Sequence, residues 1–75
     1  MSVAHAIRHF RKETHLSQEE LAEKAGLDRT YISGVERGVR NITLESLEQI
    51  IHALGVGSAE FFCFVTMEGN DDIHN

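Results

Sequence analysis

Between residues 16 and 47 the chain writes one six-residue pattern three times: LSQEEL, LDRTYI and ITLESL. Each copy is an apolar residue, a short polar residue able to cap a helix, three further residues, and a second apolar residue. A capping side chain accepts a hydrogen bond from a free N–H of the first helical turn, and the flanking apolar pair fixes the angle at which the chain enters. Ser17 with Glu20 adds a reciprocal capping box, stapled by Leu16 and Leu21; Asp28 is flanked by Leu27 and Ile32, and Thr43 by Ile42 and Leu47. Three helix starts are therefore placed to the residue. Gly26 suits the left-handed position that ends a helix, the third helix ends near Arg37 with Gly38 next, and the fourth stops at Gly55.

A first helix from Ser2 to about Thr14 carries Val3, Ala6, Ile7 and Phe10 on one face. The fourth carries Leu44, Leu47, Ile50, Ile51 and Leu54, and a fifth starts at Ser58 and runs through AEFFCFVTM. No stretch alternates as a strand does. The expectation is an all-α unit of five helices over residues 1–67, followed by a flexible acidic tail, residues 68–75.

Such a chain has little core. A domain of 75 residues buries only about 60% of its unfolded surface, so it depends on well-formed helices or on pairing with a second subunit. With no proline and no glycine-serine linker, a second domain is not expected. The single cysteine, Cys63, excludes an internal disulfide and a multi-cysteine zinc site. It reads as a small buried apolar residue of the fifth helix, the alternative being a reactive or intermolecular thiol. No apolar run approaches the ~18 residues of a membrane span, and the amphipathic start MSVAHAIRHFRK has no signal-peptide core. A cytoplasmic protein with no membrane partner is expected.

The formal charge of −5 hides an asymmetry. All seven cations (Arg8, Arg11, Lys12, Lys24, Arg29, Arg37 and Arg40) lie in residues 1–40 beside six acids, whereas residues 41–75 hold the other six acids and no cation. Net charge does not favour a nucleic-acid partner; a local basic patch in the first half can still serve one.

The second and third helices are joined around Gly26-Leu27, a short glycine-containing connection that turns one helix sharply across the other. Ala22 leaves room at that crossing, and Ile32 and Val35 fix the third helix to the core. The run LSQEELAEKAGLDRTYISGVERG through ITLESLEQIIHALGV, within residues 3–56, resembles the helix-turn-helix of the Cro/phage-repressor (Xre) type. Within that family, LDRTYISGVERGVRN followed by TLESL is most similar to the controller proteins of restriction-modification systems. The resemblance implies a five-helix lambda-repressor-like domain with its helix-turn-helix at about 17–37. It also implies a transcriptional regulator acting as a homodimer on a roughly palindromic double-stranded operator. For a controller it further implies binding upstream of its own gene and a restriction gene, activation followed by autorepression, and a contact with RNA polymerase. A phage-type repressor, an antitoxin-type regulator and a protein-interaction module that has lost DNA remain alternatives.

At 100° per residue, Ile32 and Val35 of the third helix point inward with Tyr31 on their flank. The opposite side collects Arg29, Thr30, Ser33, Gly34 and Arg37. An α-helix fits the major groove, where arginine takes both acceptors of guanine and threonine meets a thymine methyl. Arg29, Thr30, Ser33 and Gly34 are the expected base-reading positions, with the division among them left open.

Contacts to phosphate position a protein without specifying sequence. The resemblance assigns such a contact to Gln18, in the first turn of the second helix where free N–H groups favour an anion, and another to Arg40 and Asn41 in the loop after the third helix, with Arg37 expected to share it. Tyr31 either reaches a phosphate through its hydroxyl or simply packs. The resemblance further pairs Arg11 with Glu36, an ion pair supporting the DNA-facing segment; two independent surface charges are the alternative.

Two other readings compete. His5 and His9 are four apart on the first helix, a spacing that holds metals. HAIRH, however, lacks the glutamate of HExxH and has no evident third ligand, so no metal, cofactor, small-molecule ligand or catalytic residue is expected. The fifth helix is too apolar around its circumference for one small core to absorb. Its residues Phe61, Phe62, Phe64 and Val65, within a dimerisation helix at about 58–66, are expected to meet a second subunit.

Overall fold

Five helices follow in order in the computed structural model, which describes residues 2–73, with side chains through Met67: α1 Val3–Glu13, α2 Gln18–Ala25, α3 Arg29–Glu36, α4 Leu44–Leu54 and α5 Ser58–Ile73. No strand occurs among the described residues. The architecture is all-α.

The helix starts are chemical as well as positional. The Ser17 hydroxyl accepts from the Glu20 N–H at 3.0 Å while the Glu20 carboxylate accepts from the Ser17 N–H at 2.9 Å, closing the capping box. Ser2 caps α1 by accepting from the His5 N–H, and Thr43 caps α4 by accepting from the Ser46 N–H. Asp28 differs: its backbone is extended as a cap residue should be, yet its side chain makes no capping bond. The entry into α3 is held instead by the Asp28 carbonyl, which accepts from the N–H groups of Tyr31 and Ile32, and by the apolar pair Leu27 and Ile32.

All five helices contribute to a single core. Ile7, Leu21, Ile32, Ile50 and Phe61 are its largest fully buried side chains, one from each helix. Gly26, at φ 73°, ends α2 in the left-handed conformation and lets the Leu27 N–H return to the Ala22 carbonyl at 2.9 Å. That closure swings α3 across α2, and Ala22, 2% exposed, sits where a longer side chain would separate them. Leu44 departs from the sequence pattern: at the first position of α4 it points away from the core and is 73% exposed.

The backbone of α5 is helical to Ile73, beyond residue 67 where the sequence places the start of a flexible acidic tail. The side chains of that tail, and residues 74–75 altogether, lie outside the described residues. No single helix among those described is long and apolar enough to cross a membrane; α4 and the Ser58–Met67 part of α5, apolar together, meet at a 105° bend.

Candidate nucleic-acid interface

Helix α3 divides cleanly. Ile32, Gly34 and Val35 are buried. Arg29 and Thr30 are exposed, Ser33 is half-buried, and these three line one shallow surface groove. The reason is local: with the apolar residues turned inward, the 3.6-residue period leaves positions 29, 30 and 33 together on the outer side. No acid lies among them, and the helix begins with a cation, so the groove presents one guanidinium and two hydroxyls.

Gly34 is not part of that groove. It is buried, and a Cβ built on it meets the Arg40 Cβ at 3.3 Å. The expectation that Gly34 lets DNA approach is therefore corrected: what approaches it closely is the protein's own loop. Gly38, at φ 75°, reverses the chain after α3, with its N–H donating to Val35 O and the Val39 N–H to Gly34 O, each at 3.0 Å. This pair of bonds is a Schellman closure, and it folds residues 39–41 back along α3. Arg37, Arg40 and Asn41 are exposed there. The Arg40 guanidinium carbon stands 5.4 Å from the centre of the Tyr31 ring.

Tyr31 needs a second correction. Its ring packs against the core, and its hydroxyl is buried with no hydrogen-bond partner among the described residues. A phosphate contact from that oxygen is not available in this conformation; of the two roles open to Tyr31, packing is the one the geometry shows.

A polar network ties this surface to α1 and α2. Arg11 grips Glu36 with two bonds, Nε to Oε2 at 2.7 Å and Nη2 to Oε1 at 3.0 Å, and its Nη1 donates to the Leu16 carbonyl at 2.9 Å. The side chains are 12% and 3% exposed, so this is a nearly buried bidentate pair rather than two surface charges, and its breakage is costly. Sequence reasoning missed the third member: Gln18 Nε2 donates to the same Glu36 Oε1 at 3.0 Å. That bond fixes the Gln18 amide at the start of α2, where the Glu20 N–H of the same first turn is already taken by the Ser17 hydroxyl. Nothing in the spacing of residues 18 and 36 signals it; only the crossing of α2 on α3 brings them together. Nearby, bonds from the Ser17 backbone and hydroxyl hold the exposed Glu20 carboxyl below its ordinary value of 4.5.

Arg11 is thus neutralised, whereas Arg29, Arg37 and Arg40 are exposed on one helix and the loop that follows it. The acids of residues 41–75 are carried by α4 and α5. A chain of negative net charge in this way offers a cationic face.

On α5 the four residues expected at a subunit interface separate. Phe61 is fully buried against Phe10 and Phe62, and belongs to the protomer's own core. Its assignment to the interface is corrected: the first turn of α5 must seal the end of the small core, and Phe61 is the side chain that does so. Phe62 is 43% exposed; Phe64 and Val65 are half-buried; Met67, beyond them, is 62% exposed. Cys63, expected to be buried, is exposed because it falls on the side of α5 turned away from the core. His5 and His9, noticed in the sequence for their metal-type spacing, stack on Phe64 instead, His9 at 4.3 Å between ring centres and His5 at 6.3 Å.

Comparison with known proteins gives the following. The family described as helix-turn-helix matches residues 7–61. The control protein C.BamHI of Bacillus amyloliquefaciens is 46% identical over 54 residues, covering 72% of this chain and 67% of its own length. The control protein C.MunI of a Mycoplasma species is 44% identical over 63 residues, covering 83% and 85%. Among solved structures, the restriction-modification controller protein C.Esp1396I superposes with a TM-score of 0.86 at 47% identity, over 88% of this chain and 87% of the other. C.Esp1396I is also known bound to a 25 base-pair operator site and as a tetramer on its natural 35 base-pair operator. Its variants include replacements of three consecutive residues, an arginine, a threonine and a tyrosine.

Proposed function

The chain belongs to the helix-turn-helix family of the Xre type, and from that premise we propose that it is a restriction-modification controller that binds operator DNA sequence-specifically as a homodimer and regulates its own transcription. The observation that carries this reading is the division of α3: Arg29, Thr30 and Ser33 share one outer groove while every apolar residue of the helix packs against the core. A protein-interaction module has no need of that surface. C.Esp1396I also has an arginine, a threonine and a tyrosine in succession, the residue types that stand here at Arg29, Thr30 and Tyr31.

In this reading α3 enters the major groove and its exposed side chains meet base edges. Arg37, Arg40 and Asn41 grip the phosphates beside it, and Gln18, held by Glu36, binds another phosphate at the start of α2. The exposed apolar residues Phe62 and Met67, with Phe64 and Val65, pair two protomers. Two recognition helices then face successive major grooves, so half-sites stand about 10 base pairs apart. Occupancy follows protein concentration through dimerisation, and the regulator's own gene and RNA polymerase are the partners at such an operator.

Selection of bound sequences from random DNA tests both the binding and the spacing. The expected product is an inverted repeat with centres one turn apart; recovery of no consensus excludes sequence-specific readout. On the selected site, Arg29→Ala costs about 1–3 kcal/mol and relaxes preference at one base position. An equal loss on every sequence removes Arg29 from the base readers.

A further inference from the structure

Arg40 lies on α3 rather than free in solvent, and its surroundings are specific. Its Cβ, Cδ and Nε pass 3.3, 3.8 and 3.9 Å from the position that a side chain at Gly34 would occupy. Its guanidinium ends over the Tyr31 ring. The backbone bond from the Val39 N–H to Gly34 O delivers the arginine to that notch. Tyr31 in turn is held by its packing against the core, since its hydroxyl has no partner to hold it. An arginine in a loop ordinarily loses much rotamer freedom when it is immobilised on a ligand. Here part of that loss is already met in the free protein.

We propose that Gly34 and Tyr31 are positioning residues for Arg40: the missing side chain of Gly34 and the face of the Tyr31 ring form a seat that preorganises the Arg40 guanidinium for DNA. The proposal rests on the reading of Arg40 as a phosphate contact. It gives Gly34 a role in affinity without any contact of its own to DNA, and it gives the Tyr31 ring a role that its buried hydroxyl does not have.

The test is a double-mutant cycle on the full chain, using the selected operator and an unrelated duplex as probes and fluorescence anisotropy over a range of salt. Arg40→Ala weakens binding to both duplexes and flattens the dependence of affinity on salt by about one ion. Gly34→Val fills the notch and is expected to weaken binding about three- to tenfold in the parent, but by no more than about twofold once Arg40 is alanine. Tyr31→Leu, which removes the ring face, is expected to show the same coupling. Gly34→Ala keeps the test open should the valine variant not fold, because alanine favours helix and its Cβ requires Arg40 to shift by only a few tenths of an ångström; a smaller loss, equally dependent on Arg40, is expected. Losses at Gly34 that persist in full on the Arg40→Ala background overturn the positioning role and leave the phosphate reading intact. An Arg40→Ala protein that binds both duplexes like the parent overturns both.

Discussion

Helix α3 and helix α5 answer the same demand, burial of an apolar side, with opposite surpluses. In α3 the apolar residues just match the side that faces the core, and what remains outside is an arginine, a threonine and a serine. In α5 the apolar residues exceed what the core accepts: Phe61 is taken in completely, while Phe62 and Met67 are left 43% and 62% exposed. A helix with no apolar excess shows water a polar, hydrogen-bonding face suited to a polar partner. A helix with an excess shows an apolar one, which suits an apolar partner such as the second protomer proposed above. The two helices are thereby suited to different partners.

The contrast is tested most severely within α5 itself. Phe61→Ala is expected to destabilise the protomer by about 3–5 kcal/mol, the cost of emptying a fully buried aromatic position, read as a lower urea midpoint. Phe62→Ala, which removes only the edge contact with Phe61, is expected to cost the protomer about 1 kcal/mol, well short of the Phe61→Ala loss, while shifting the sedimentation of the protein from dimer towards monomer. Should Phe62→Ala sediment as the parent does, the apolar excess of α5 is not the subunit contact.

Beside α3, Arg11→Ala is expected to cost about 3 kcal/mol by leaving the Glu36 carboxylate nearly buried beside Gln18 alone; chemical denaturation measures it, and a loss near zero removes the network from the account of the surface around α3. Tyr31→Phe sharpens the distinction between packing and contact. With its hydroxyl buried and unbonded, the change is expected to leave stability unaltered or raise it by up to about 1 kcal/mol, and a lower melting temperature shows that the hydroxyl has a partner after all.

The smallest effect belongs to the capping box of α2. Because the Glu20 carboxyl is held below 4.5 in the folded chain by its bonds from Ser17, its contribution is present above the unfolded value and fades as the pH falls through the lower folded one. An NMR titration should place its midpoint below 4.5, and Ser17→Ala should return it towards that value. A midpoint unmoved by Ser17→Ala excludes the box as the cause.

The fold was legible because its signals are local. Ser2, Ser17 and Thr43 cap through bonds to residues three positions on, and Gly26, Gly38 and Gly55 take a backbone conformation that glycine alone adopts cheaply; both kinds of signal are written in adjacent letters. The outer groove of α3 was legible for a similar reason, since one period relates its inner and outer sides. Gly34 was misread because periodicity says which way a position faces and not what lies opposite. Facing away from the core, it meets Arg40, which the Gly38 reversal returns to the helix.

The sequence by itself thus determined five helices, their starts, and an outer side of α3 that includes Arg29, Thr30 and Ser33, since each depends on neighbours within about one helical turn. Only the tertiary structure decided that Phe61 belongs to the core and Phe62 to the surface, that the Tyr31 hydroxyl is buried, and that Gln18 joins Arg11 on Glu36. Those outcomes depend on how α1, α2 and α5 cross the rest of the molecule, and a crossing is set by the packing of side chains distant in the chain, which no local pattern contains.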